Sequence, residues 1–286
     1  MTFLLIGAIL ISFSSVMVKL AGVPADIAGF YRVFGGGIGM ALLLWHKGAL
    51  NRLTGQLWKW AVFSAALFSA DLYFWHRSID RVGPGLATML GNFQVIVLAL
   101  VSIIFLREKV TRNYLVAIPT ALVGLYLMVG VSWDSFTPEF RLGIVFGLLT
   151  ALAYGLYILS LKVTLSRIAA DPLAMACAVA LASSVYLGLS AAAGGDSFIV
   201  DNPRSIAALA ALALICHAGG WYAITTGLQT VRTSLIGLIL LLQPTLSYIW
   251  DILFFDKPVT AVELSGVGLA LVAIYLGSLK PKTPSN

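Results

Sequence analysis

Residues 83–129 read GPGLATMLGNFQVIVLALVSIIFLREKVTRNYLVAIPTALVGLYLMV, and residues 232–278 read RTSLIGLILLLQPTLSYIWDILFFDKPVTAVELSGVGLALVAIYLGS. A shift of 149 residues lays one on the other without a gap. The identities Leu86/Leu235, Gln94/Gln243, Phe105/Phe254, Thr111/Thr260, Leu115/Leu264, Ala121/Ala270 and Tyr126/Tyr275 run along the whole length. Leu, Val and Ala recur by chance in any apolar helix, but Gln, Thr and Tyr matching in one register do not follow from composition. The same shift pairs Tyr73 with Tyr222 and Val82 with Val231, so the repeated unit extends upstream.

Around this repeat the chain is apolar throughout. Of 286 residues, 60% are hydrophobic and 10% charged, with a mean hydropathy of +0.97. That excludes a soluble globular domain and predicts an integral membrane protein in contact with the lipid bilayer. Apolar runs fall near residues 2–21, 28–45, 58–77, 83–105, 114–131, 142–162, 172–193, 205–227, 232–255 and 262–279. At roughly 20 residues per crossing these are ten transmembrane helices, with no room for an extramembrane domain. Gly83-Pro84, Pro138, Asp171-Pro172, Asn202-Pro203 and Lys257-Pro258 punctuate the breaks. Lys19, the first basic residue, stands at the far end of the first run, which therefore reads as a retained helix and not a signal peptide. Cys177 and Cys216 sit in apolar runs without metal-ligand or disulfide spacing, and no cofactor is expected. The net charge of +6 reflects basic loops and implies no nucleic-acid partner.

Placing the N-terminus in the cytoplasm puts eleven of the eighteen Lys and Arg residues inside, among them Arg52, Lys109, Arg112, Lys162, Arg232, Lys280 and Lys282. Asp26, Asp80, Asp134, Glu139, Asp196, Asp201, Asp256 and Glu263 then gather outside. Both termini are accordingly expected to be cytoplasmic. Five crossings per repeat is an odd number, so the second copy starts on the opposite face of the membrane. The halves are residues 1–132 and 140–280, followed by a cytoplasmic tail at 281–286. Such inverted repeats are characteristic of secondary transporters, whose substrate sits near the midplane between the halves.

The ten-helix plan, the charged clusters Phe105-Leu106-Arg107-Glu108-Lys109-Val110-Thr111 and Phe254-Phe255-Asp256-Lys257-Pro258-Val259-Thr260, and Leu242-Gln243-Pro244 together resemble the drug/metabolite transporter superfamily, EamA type. The first half departs from it, with Gln94-Val95 opposite Gln243-Pro244, so a proline kink is expected in helix nine alone. Within that superfamily, chain length and the stretch Tyr73-Phe74-Trp75-His76 look most like the YddG-type aromatic amino-acid exporters. The resemblance implies efflux of amino acids through a central cavity in a bacterial inner membrane.

Ionisable side chains inside spans mark transport pathways. Asp71 lies near the middle of helix three, and Phe68, Asp71 and Trp75 share one helix face. The repeat shift maps that face onto His217, Gly220 and Ile224 of helix eight. Asp71 is read as the partner of a substrate amino group or a proton, and His217 as the partner of its carboxylate or a proton relay. The alternative is a buried acid bonded to a hydroxyl and a histidine packed between helices. Trp75 and His76 suit an outer vestibule, or an interfacial belt together with Arg77. Asn92 and Gln94 of helix four, with Gln243 of helix nine, offer neutral hydrogen-bonding groups for a zwitterion, the alternative being glutamines that bond across helices, and Tyr154, Tyr157 and Trp221 offer an aromatic wall. Pro244 is the candidate hinge, and Asp251 a second proton or pairing candidate.

The reading is of a transporter exporting aromatic and other small amphipathic amino acids, with protons as the candidate coupling ion. A multidrug or cationic-toxin exporter needs only one membrane acid and stays open. A phosphorylated-metabolite carrier expects cavity-facing cations, and Lys19 and Arg32 alone offer any. An intramembrane enzyme would need a catalytic constellation, and the sequence contains no HExxH and no GxSxG.

Overall fold

A computed structural model describes residues 1–108, 110–129, 137–255 and 260–278, apart from the side chains of 83–86, 89, 128, 129, 251 and 278. Lys109, Asp134, Asp256, Lys257, Lys280, Lys282, the 281–286 tail and the side chain of Asp251 therefore lie outside the description. The described residues outside loops are all helical. In chain order the helices are α1 (Thr2–Ser12), α2 (Ser14–Ala21), α3 (Ala25–His46), α4 (Gly55–Gly91), α5 (Gln94–Leu100) and α6 (Arg112–Val129). They are followed by α7 (Pro138–Arg167), α8 (Pro172–Gly194), α9 (Pro203–Ala211), α10 (Gly220–Leu228), α11 (Thr233–Leu240), α12 (Leu242–Phe255) and α13 (Ala261–Ser278). π-helical turns continue α5 over Val101–Phe105 and link α9 to α10 over Leu212–Gly219.

Among the described residues six segments are long and apolar enough to cross a membrane: Thr2–Ala21, Ala25–His46, Pro138–Arg167, Pro172–Gly194, Pro203–Leu228 and Thr233–Phe255. Gln94–Phe105 and Ala261–Gly277 are shorter apolar helices. Large side chains on the outer surface are themselves apolar, such as Trp45, Val185, Leu189 and Phe254, each more than half exposed. A soluble protein rarely shows such continuous apolar exposure. This is an integral membrane protein.

Three helix starts follow directly from the sequence. Thr137, Asp171 and Asn202 cap α7, α8 and α9 by accepting from the N–H groups of Phe140, Ala174 and Arg204, and each cap is followed by a proline at the first helical position. The break expected at Gly83-Pro84 takes another form, because the backbone of α4 is helical through it. The chain nevertheless reverses there. A Cβ on Gly147 of α7 would meet both Ser78 Oγ at 3.1 Å and Leu90 Cβ at 2.6 Å, atoms roughly 18 Å apart along a straight helix. Thr150 likewise donates to the Asp71 carbonyl while its methyl abuts Gly91. α4 is therefore a tight hairpin with both arms laid on α7.

Helix nine is broken at Leu241, where α11 gives way to α12 and Pro244 occupies the first turn of the new helix. Helix four is broken too, at Asn92-Phe93, which is the repeat-equivalent point. There the expectation of a kink in helix nine alone is corrected. Without a proline, the Asn92 amide bonds to the Thr88 carbonyl, and the Phe93, Val95 and Ile96 N–H groups bond three residues back instead of four. α6 packs along α13, where the repeat equivalents Ala121 and Ala270 are both fully buried and Gly124 lies against the α13 backbone.

Candidate functional site

The centre of the bundle is a nest of rings drawn from both halves of the sequence. Phe68 of α4 stacks on Tyr157 of α7 at 4.7 Å between centroids and meets Trp221 of α10 edge-on at 5.2 Å. Tyr157 and Trp221 are 5.0 Å apart, and Tyr154 stands 6.4 Å from Trp221. His217, in the π-helical turn, completes the nest at 6.1 Å from Phe68 and 6.4 Å from Trp221. Phe68 and His217 are equivalent positions of the repeat, so two copies of one helix face are turned toward each other. Phe68, Tyr157, His217 and Trp221 are each at most 3% exposed.

Asp71 lies one turn along α4 from Phe68 and is also buried. Its carboxylate carries no hydrogen bond among the described residues, although a buried unpartnered acid is costly in a bundle core. The cation acting on it is Arg32 of α3, which also interacts electrostatically with Tyr154, Tyr157, Cys216 and His217. No nitrogen of Arg32 comes within 4.0 Å of an Asp71 oxygen. Gly36, one turn along α3 from Arg32, explains how the arginine comes to this place. A Cβ there would lie 2.5 Å from His217 Cδ2, so only glycine lets the imidazole lie against α3 on the Arg32 face. Gln243, in the first turn of α12, approaches the Tyr154 hydroxyl.

Of the residues singled out from sequence, Asp71, Tyr154, Tyr157, His217, Trp221 and Gln243 thus come together. Trp75 and His76 do not. They lie one turn or more beyond Asp71 along α4, where His76 Nδ1 is 2.8 Å from Asp26 Oδ1 of α3 and Trp75 rests against the His76 ring. Asn92 is engaged with its own helix, and Gln94 donates to the Gly237 carbonyl of α11. Pro244 belongs to the break in helix nine. Arg32, named from sequence only as a cation that could face a cavity, is the eighth residue of α3. The signal was available: a lone arginine about 10 Å inside an apolar helix. Among the described residues no cluster of His, Cys, Asp and Glu is able to hold a metal ion.

The EamA-like transporter family model matches residues 1–130 and 141–279, nearly the whole chain. The chain belongs to the EamA-like transporter family. An uncharacterised transporter of Archaeoglobus fulgidus is 24% identical over 235 residues, covering 78% of this chain and 80% of the relative. A solved structure described only as a crystal structure of a protein superposes with a TM-score of 0.84 at 14% identity, over 97% of this chain and 95% of that one. That likeness concerns the fold alone. As an EamA-like transporter, the protein moves a small molecule across a bilayer.

Proposed function

We propose that this EamA-like transporter exports aromatic and other small amphipathic amino acids by alternating access about the ring nest. Ten crossings form two inverted five-helix halves, residues 1–132 and 140–280, with both termini in the cytoplasm of a bacterial inner membrane. Asp71 receives the substrate ammonium or a coupling proton, and the rings of Phe68, Tyr154, Tyr157 and Trp221 receive its side chain. The observation carrying this reading is a buried carboxylate without a hydrogen-bond partner, set beside rings contributed by both halves. The α4 hairpin, the paired breaks at Asn92 and Leu241, and the packing of α6 on its counterpart α13 support the count of ten and the inversion.

The multidrug reading rests on Asp71 as a lone membrane acid. Arg32 weighs against it, since a guanidinium in the same space repels a lipophilic cation. Counterflow of radiolabelled tryptophan and phenylalanine into proteoliposomes, with and without a pH gradient, tests the proposal. Saturable uptake is expected from the wild type, with loss of gradient dependence in Asp71→Asn. No amino-acid uptake from vesicles that do extrude a lipophilic cation would transfer the assignment to the multidrug class.

A further inference from the structure

We propose that Arg32, with the indole N–H of Trp221 and the imidazole of His217, forms a carboxylate-binding pole opposite Asp71, making a free carboxylate a requirement for substrate recognition. The inference rests on the transport site proposed above and names the substrate chemistry of one end of it. Three nitrogens carry the argument. Arg32 Nε, Trp221 Nε1 and His217 Nδ1 are all buried and have no hydrogen-bond partner among the described residues. The first two only donate, and the third donates in one tautomer. Buried donors in native proteins are overwhelmingly satisfied, so converging unsatisfied ones call for an acceptor that the protein does not supply.

Geometry brings them to one place. His217 lies on Gly36, one turn from Arg32 on the same helix face, and Trp221 stands one turn beyond His217 with ring centroids 6.4 Å apart. Asp71, Tyr154, Tyr157, Cys216 and His217 are near enough to interact electrostatically with the arginine. The one acid among them, Asp71, is not in contact with it. A planar guanidinium suits a carboxylate better than an ammonium does. Lys19 of α2 is turned away, with Nζ 3.8 Å from the Phe255 ring centroid. An unpaired arginine and an unpaired aspartate near one ring nest match the two charges of a zwitterion.

Purified protein in detergent is titrated with phenylalanine, 3-phenylpropionate and phenethylamine, reading the shift in thermal unfolding, for wild type, Arg32→Gln and Arg32→Lys of matched gel-filtration profile. Phenylalanine and 3-phenylpropionate are expected to stabilise the wild type. Arg32→Gln should lose the 3-phenylpropionate response and bind phenylalanine at least tenfold more weakly, with phenethylamine unaffected, and Arg32→Lys should recover part of the loss. Stabilisation of the wild type by phenethylamine but by neither carboxylate would overturn the carboxylate pole and leave Asp71 as an amine site. Phenylalanine binding equal in wild type and Arg32→Gln would overturn it while leaving the amino-acid reading intact. A wild type that responds to none of the three overturns both.

Discussion

Asp71 and Phe68 sit one turn apart on α4 and should answer substitution in opposite ways. Phe68 fills the nest, so Phe68→Ala leaves a cavity worth about 3–5 kcal/mol of stability, visible as a large drop in unfolding temperature in detergent. Asp71→Asn removes a buried charge that nothing hydrogen-bonds, and is expected to leave the unfolding temperature unchanged or raised while transport is impaired. A carboxylate held for structural reasons would give the reverse. Gly36→Ala drives a methyl into the His217 ring and to 3.0 Å from the Ala213 carbonyl. It should cost about 1–3 kcal/mol by the same measurement. Much at this scale was legible in the sequence, because rarity picks out an acid and a histidine inside apolar spans, and the repeat shift placed Phe68 opposite His217. Arg32 was legible as an intramembrane cation but its direction was not, since which way a helix turns its one arginine depends on contacts such as Gly36 with His217.

Glu108 ties the link between the halves. Its two oxygens accept from the N–H groups of Thr233 at 2.9 Å and Ser234 at 3.0 Å, at the start of α11. Lys162 of α7 donates to the carbonyls of Leu228 and Val231 at the end of α10. The loop joining α10 to α11 is thus held from both sides by opposite charges, each at the helix end whose dipole suits it. Desolvation works to raise the Glu108 pKa, but the hydrogen bonds from Ser234 and Thr233 together outweigh it and hold the carboxyl below its ordinary 4.5. A depressed pKa stabilises the fold fully above that ordinary value, and the contribution fades as pH falls through the lower folded one. Glu108→Gln should therefore cost about 1 kcal/mol at pH 7 and flatten the loss of unfolding temperature expected of the wild type below pH 4.5. The paired breaks carry another prediction. Helix four breaks at Asn92 without a proline, so Pro244→Ala should keep the fold, shifting stability by less than about 1.5 kcal/mol, with counterflow reporting any slowing of exchange. Proline chemistry was readable in the sequence. The Asn92 break and the π-helical turns were not, because backbone hydrogen bonds shifted by one residue leave no mark on hydrophobic periodicity.

At the scale of the whole molecule, the two ends of the bundle are closed by different chemistry. At one end Arg52 pairs with Asp171, Lys162 and Glu108 clamp the α10–α11 loop, and Gln229 bonds the Ala170 carbonyl. At the other, His76 meets Asp26, Arg81 lies 3.3 Å from Glu139, and the Tyr31 hydroxyl donates to the Phe198 carbonyl. The ring nest lies between. The proposed inversion of two five-helix halves, read from an ungapped shift of the sequence, is in keeping with a nest placed between two ends. Which contacts close each end was beyond it, because they join residues far apart in the chain. Tyr157→Cys in a background with Cys177 and Cys216 replaced by Ala tests access to the nest most directly. The account predicts that a membrane-impermeant thiol reagent labels this cysteine from either side of the membrane and that phenylalanine protects it. Labelling from one side only, or labelling indifferent to phenylalanine, would contradict a shared central site.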